Sequence, residues 1–240
     1  MILSQIANNR IPRILLGAGK QAAHVLNLME WMGLPWHDMV LFDDAFPELR
    51  TGPRDLPVLG ILNDGVEHCI RHSAPAMVAL GSKTAAIRYA VYTKLRDAGA
   101  HLPNLIHPSC LIAPSVKLGQ NICMMPGCVI GPEVSIGSMN WMYSHVTLEH
   151  DMQVADNVVF GPSVVSSGYV KIGKHSFLGT GAVCGIGVHI EERVLIGAGA
   201  VVISDIPEGM IAIGVPARAV RKAPAGLDVP TRDELRRFGI

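Results

Sequence analysis

Residues 111–206, cut in sixes, read LIAPSV KLGQNI CMMPGC VIGPEV SIGSMN WMYSHV TLEHDM QVADNV VFGPSV VSSGYV KIGKHS FLGTGA VCGIGV HIEERV LIGAGA VVISDI. These sixteen hexads follow one another without insertion or deletion. The second position is Ile, Leu, Val, Met or Phe in fourteen of them, with Ser166 and Cys184 the exceptions, and the third is Gly in eight. The sixth is mostly small or branched and apolar, as at Val116, Val134, Val158, Val164 and Val188. A short fixed period of this kind marks a β-solenoid, in which each repeat buries its apolar side only by stacking on its neighbours. Strand alternation sends two positions of each six inward, and glycine is expected to supply corner conformations that other residues avoid.

A six-residue period belongs to the left-handed parallel β-helix, where three hexads close one triangular coil of eighteen residues. Sixteen hexads give a prism roughly 25 Å tall at about 4.8 Å per coil. Residues eighteen apart should therefore stack. Flat prism faces can pack on copies of themselves around a three-fold axis, so a homotrimer is expected.

The chain of 240 residues has room for one large domain or two small ones. Apolar residues make up 49% and aromatic ones only 5%, which suits a solenoid filled with Ile and Val. Formal net charge is zero and no run of Lys or Arg occurs, which argues against nucleic acid as a partner. The five cysteines, at 69, 110, 123, 128 and 184, form no Cys-x-x-Cys pair and no even framework. The opening MILSQIANNRIPR lacks the apolar core of a signal sequence, and no stretch is long enough to span a bilayer. A reduced, cytoplasmic protein is expected.

The first third of the chain has a different rhythm. Arg13 to Leu16 predicts a strand running into Gly17-Ala18-Gly19-Lys20-Gln21-Ala22 and an amphipathic helix to about Met32. Met39 to Phe42 predicts a second strand ending in Asp43-Asp44, Pro57 to Leu62 a third, and Asp64 to His72 a helix. Ala76 to Leu80 predicts a fourth strand, followed by Gly81-Ser82-Lys83 and a helix to about Ala98. Strands alternating with helices imply a parallel sheet. The expected organisation is thus a small α/β, Rossmann-like domain over 1–105, a left-handed β-helix over 106–222, and a tail over 223–240 with a short helix behind a capping box at Thr231 to Glu234.

The loop after the first strand has the form G-x-G-x-x-A. Its glycines allow close backbone approach, the following helix N-terminus attracts phosphate, and the acidic pair Asp43-Asp44 falls where a ribose or base edge would lie. Gly17, Gly19, Lys20, Asp43, Asp44, Gly81 and Ser82 are the candidate nucleotide residues. About 100 residues are too few for both halves of a dinucleotide fold, so a mononucleotide fits better than NAD. The other reading of the same residues is a tight strand-to-helix turn followed by a solvated acidic turn.

Within the solenoid, His150 occupies the fourth place of Thr147-Leu148-Glu149-His150-Asp151-Met152, an outward corner. Either flanking carboxylate can accept a hydrogen bond from one ring nitrogen and leave the other as a general base. One coil later stands Gly168, which allows close approach of a ligand and can offer a backbone N–H to a thioester oxygen. His145 lies near the same corner and raises a rival zinc site.

A domain opening Gly-Ala-Gly, the Asp43-Asp44 turn, Leu105-Ile106-His107-Pro108, the Glu149-His150-Asp151 hexad and Gly214-Val215-Pro216-Ala217-Arg218 together resemble the bacterial NeuD/PglD-type sugar acyltransferases. The resemblance runs from about residue 13 to 220. It implies an acetyl-CoA-dependent transfer, with His150 as general base and Asp151 orienting it. It further implies that Gly168 meets the thioester carbonyl, that Thr180, Gly197 and Ala198 line a pantetheine groove between neighbouring prisms, and that Arg218 meets the CoA phosphates. The acceptor would be a nucleotide-linked amino sugar held by the small domain. Lys20-Gln21-Ala22 depart from the family's usual Gly-His-Gly, and Ser166-Ser167-Gly168-Tyr169 from its usual small-residue turn. Gamma-class carbonic anhydrases place a zinc on the same prism with a third His two coils below; here that place holds Ser109, so no metal is expected. Acetylation of a sugar hydroxyl, such as that of a sialic acid, is the alternative within the family. A trimeric nucleotide-binding scaffold without catalysis is the alternative outside it.

Overall fold

The computed structural model describes residues 11–81 and 85–223. The chain forms two compact units. One comprises the described residues to Gly81 with Ala86–Pro108 and Gln120–Cys123; the other comprises Ser109–Gly119 and the described residues from Met124 onward.

In the first unit, β1 (Ile14–Leu16) is followed by α1 (Lys20–Trp31), β2 (Val40–Phe42), α2 (Leu62–His72), β3 (Ala76–Val78) and α3 (Ala85–Asp97). The sheet is parallel in the order β2-β1-β3. All of β1 and β3 is buried, as the continuous apolar runs of a covered parallel strand require. Pro57 to Leu62 does not form the expected strand. Val58 makes one isolated bridge to Leu41, and Leu62 already begins α2. The run still follows β2, with Leu41 N–H donating to Pro57 O, Leu59 N–H to Leu41 O and Asp43 N–H to Gly60 O, but it is too short to extend the ladder before the helix begins. Asp44 Oδ1 and Asp64 Oδ2 accept the N–H groups of Leu62 and Ile61, holding the start of α2.

The second unit is the left-handed parallel β-helix expected from the hexads. Two-residue strands stack on three faces. One face carries Leu111–Ile112, Val129–Ile130, Thr147–Leu148, Val165–Ser166, Val183–Cys184 and Val201–Val202. A second carries five strands from Lys117–Leu118 to His189–Ile190. The third includes Trp141–Met142, Val159–Phe160, Phe177–Leu178 and Leu195–Ile196, then Met210–Ile213 with Arg218–Lys222 antiparallel at its edge. Partners lie eighteen residues apart, as in Thr147 with Val165 and Val165 with Val183. The register ends before the sixteenth hexad does. Ile190 bridges to Ile206 and Leu195 pairs with Ile211, each sixteen apart, so the last coil is two residues short.

Second and sixth positions fill the interior, from Ile130 and Val134 through Val158, Phe160 and Val164 to Ile196 and Ala200. Each fully buried Val, Leu, Ile or Phe contributes about 1.5–3 kcal/mol. Polar residues at these places carry their own partners. Asn140 donates to the carbonyls of Gly137 and Ala155 and accepts from Val158 N–H. Ser176 donates to Glu191 O and accepts from Val194 N–H.

The glycines play a different part from the one expected. The left-handed corner is the fifth position: in the fourteen hexads from Asn121 to Gly199 its φ lies between 56° and 78°, and only four of these residues are Gly. Third-position glycines instead allow adjacent coils to meet. A Cβ at Gly173 would stand 2.5 Å from Glu192 N and 2.6 Å from Glu191 C; at Gly179 it would stand 2.6 Å from Ala198 N. Backbone cannot move aside as a flexible side chain does. Gly173→Ala is therefore expected to destabilise the protein by about 1–3 kcal/mol, read as a lowered denaturation midpoint with an unchanged slope.

Candidate functional site

Position four of each hexad is the apex of a corner, and its N–H lies outside the coil-to-coil ladder. Proline, which has no N–H, occupies that place at residues 114, 126, 132 and 162. His150 and Gly168 stand in the same column as Pro114 and Pro132. The stacking rule holds here in an unexpected sense. A Cβ on Gly168 would fall 2.5, 2.6 and 2.9 Å from Cε1, Nε2 and Nδ1 of His150, so the imidazole itself fills the space the glycine leaves. The room opened by Gly168 is taken by the imidazole rather than kept for a ligand.

His150 is held on further sides. Its Nδ1 lies 2.9 Å from Asp151 Oδ2. In the neutral imidazole with Nδ1–H donating to the Asp151 carboxylate, the free lone pair lies on Nε2. Asp151 is itself a left-handed corner residue, at φ 58°. Its N–H donates to Pro132 O at 3.0 Å. Of the two flanking acids, the structure thus puts Asp151 on the ring; Glu149 is exposed. The ring of Tyr169 meets His150 edge-on, 5.1 Å between centroids at 89°. The His150 side chain remains 42% exposed, so one side of the ring is open. The Gly168 N–H donates to no group among the described residues, whereas its carbonyl accepts from Gly187 N–H.

His145 repeats the motif in the other direction. A Cβ on Gly127 would fall 2.5 Å from His145 Nδ1, and Gly127 N–H donates to Ser109 Oγ at 3.0 Å. Ser109, two coils before His145, is engaged with backbone through that bond.

Thr180 and Ala198 are exposed and also stack eighteen apart, but on a different edge of the prism. Gly197 is buried against the Ile213 side chain, and Gly199 N–H donates to Thr180 O at 2.9 Å. One chain therefore does not bring these residues to His150. The two edges are one hexad apart along a coil, at most about 20 Å. Arg218 is exposed on the antiparallel edge strand, its Nη1 donating to Ala217 O at 2.9 Å.

In the first unit, Gly17, Asp43 and Gly81 follow the C-terminal ends of β1, β2 and β3, at one edge of the sheet. Gly17 has φ 117°, and a Cβ there would lie 2.5 Å from Ala79 O. Asp43 Oδ2 accepts from Ala18 N–H at 2.8 Å and Oδ1 from Ala45 N–H at 3.0 Å, so its carboxylate ties the glycine loop down. Gly19 caps α1 with open space at its Cα, and Lys20 is exposed in the first turn. Ser82 lies outside the described residues.

Comparison with known proteins places this geometry. Residues 169–204 match the family described as the hexapeptide repeat of succinyl-transferase. The chain is 29% identical over 147 residues to the GDP-perosamine N-acetyltransferase of Escherichia coli, covering 59% of this chain and 66% of that one, just under two thirds of that relative. PerB of Caulobacter crescentus, solved with CoA and GDP-perosamine, superposes with a TM-score of 0.77 at 29% identity over 88% of this chain and 97% of PerB. The acetyltransferase domain of PglB from Neisseria gonorrhoeae, solved with acetyl coenzyme A, superposes with a TM-score of 0.77 at 28% identity over 88% of this chain and 100% of that one. In sequence and in fold the chain is similar to sugar acetyltransferases of the NeuD/PglD type.

The unused N–H of Gly168, expected from the sequence as a donor, follows from the ladder, in which position four takes no part. One feature of the site escapes a reading of the sequence. Tyr169 looks like a solvated corner residue until its ring is seen against His150. The filled space over Gly168 gives a sharp expectation. In Gly168→Ala the new Cβ displaces a mobile side chain rather than backbone, so the fold persists while the imidazole is driven off Asp151. Turnover should fall about a hundredfold, as on removing a general base, with little change in melting temperature.

Proposed function

We propose that the protein transfers an acetyl group from acetyl-CoA to the amine of a nucleotide-linked amino sugar, with His150 as general base. The observation that carries the reading is the His150 imidazole, exposed, hydrogen-bonded through Nδ1 to Asp151 and seated on Gly168, whose N–H is unused. The sugar nitrogen attacks the thioester carbon and gives its proton to Nε2. The tetrahedral oxyanion accepts the Gly168 N–H, then collapses and breaks the C–S bond. The proton passes from the imidazolium to the departing CoA thiolate. No acyl-cysteine is involved in this scheme: Cys184 is buried, and desolvation pushes its thiol up to about 12, as it does that of Cys69.

Relatives support the substrate classes. The Escherichia coli relative is named for acetylating GDP-perosamine, PerB binds CoA with GDP-perosamine, and the PglB domain binds acetyl coenzyme A. PerB has also been solved with a single histidine replaced by Asn or by Ala. On this reading acetyl-CoA runs past Thr180, Gly197 and Ala198 to Arg218, and the nucleotide meets Gly17, Gly19, Lys20, Asp43, Asp44, Gly81 and Ser82. Lys20 takes over phosphate contact from the family's glycine-histidine pair. The five free cysteines suit a reduced, cytoplasmic setting.

The two-edge geometry calls for a homotrimer. The first positions of the face that carries His150 form a column, Leu111, Val129, Thr147, Val165, Val183 and Val201, with Leu111 67% and Val165 40% exposed. An aliphatic column along a flat face is suited to burial against another copy. Packing three prisms on such faces sets the His150 edge of one against the Thr180 edge of the next. Val165→Glu should therefore yield dissociated, folded chains by analytical ultracentrifugation and abolish turnover together with assembly.

Calorimetric titration of the wild-type protein with acetyl-CoA, UDP, GDP and dTDP tests the substrates. Binding of acetyl-CoA and one nucleotide supports the transferase; failure of an assembled trimer to bind acetyl-CoA overturns it. His150→Ala should bind acetyl-CoA normally and lose about a hundredfold or more in turnover. Near-normal turnover in a folded variant would remove His150 as the base.

A further inference from the structure

Tyr169 occupies a costly place. It is a fifth-position corner residue with φ 62°, a conformation that costs an L-residue about 1–2 kcal/mol. It is the one Phe, Tyr or Trp among the sixteen fifth positions, where Gly, Asn, Asp and Ser recur. It is 54% exposed in the single chain, so packing within the prism does not account for a large aromatic there. What the ring does touch is His150, edge-on at 5.1 Å and 89°. The Tyr169 N–H donates to His150 O at 3.0 Å, fixing the two residues coil upon coil.

We propose that Tyr169 is a positioning residue that holds the His150 imidazole in its productive orientation; the inference rests on His150 being the base. Gly168 lies under the ring and Asp151 binds Nδ1, but neither stops the imidazole from swinging sideways about its χ1 bond into solvent. A swing of that kind separates Nδ1 from Asp151 and carries Nε2 away from the Gly168 N–H. The Tyr169 ring stands across that path. A strained backbone kept at a site where it serves geometry is a recurrent arrangement. The contact needs the ring and not the phenol, so Phe should serve as well.

The experiment compares Tyr169→Gly and Tyr169→Phe with wild type in steady-state acetyl transfer, with assembly and melting temperature measured alongside. Glycine adopts the corner freely, so Tyr169→Gly should melt no lower than wild type and remain assembled. Its kcat should fall about tenfold or more, as misplacement of a catalytic group does, with the KM values for acetyl-CoA and acceptor within about twofold of wild type. Tyr169→Phe should keep at least about half of the wild-type kcat. Full kcat in Tyr169→Gly overturns the proposal, as does a raised KM with kcat unchanged, which would make Tyr169 a substrate contact. Equal impairment of the Phe and Gly variants overturns it too, by assigning the effect to the hydroxyl. These outcomes are separate from failure of the base assignment, which appears as near-normal turnover in His150→Ala.

Discussion

The ladder of N–H and C=O groups between successive coils, with partners 2.7 to 3.1 Å apart at Gly173, Gly137, Thr147 and His145 among others, holds neighbouring backbones at one hydrogen-bond length all the way around the prism. Where a corner brings two coils together, a Cβ would overlap backbone, and glycine is the residue that fits. Where the chain turns, φ must be positive, and ten side-chain-bearing residues accept that conformation in return for closing the coil. Interior filling comes third. Second and sixth positions can be Val, Ile, Leu, Met or Phe because the ladder has already fixed where they point.

The same constraint builds the site. Ladder bonds use the N–H of positions one, three and five, as at Thr147, Glu149 and Asp151. They leave the fourth-position N–H outward, which makes proline harmless there and makes Gly168 a donor in waiting. Stacking at eighteen residues sets His150 over a residue with no side chain, and the imidazole drops into that vacancy. Asp151 reaches Nδ1 because a left-handed corner turns its side chain back along the coil. An imidazole, a carboxylate hydrogen-bonded to it and an unused backbone N–H thus come from two coils and need no loop to place them.

The first unit gathers Gly17, Asp43 and Gly81 in another way, at the ends of parallel strands. Asp43 is spent on holding the glycine loop through Ala18 and Ala45, and Asp44 on the start of α2. Both acids therefore hold backbone in place, a role that their sequence position alone did not reveal. Gly17 earns its place by the approach of Ala79 O, whereas Gly19 meets no such obstacle.

Periodicity was legible in the chain because a solenoid repeats one local solution: the hexad register, the inward positions and the 150–168 column all follow from counting. Counting failed where local geometry departs from the average, at the shortened coil beyond Val202 and over 57–62, where the run makes a single bridge to Leu41 before the helix begins. It also misjudged why glycine recurs, because clash between coils and positive φ both select glycine and leave the same mark in sequence. What only the tertiary structure decided is which atoms meet. The imidazole fills the space over Gly168, Tyr169 closes its flank, and the Thr180 edge stands apart from the His150 edge of the same chain. Those facts depend on side-chain direction and on closure of the coil in three dimensions, which no one-dimensional period encodes.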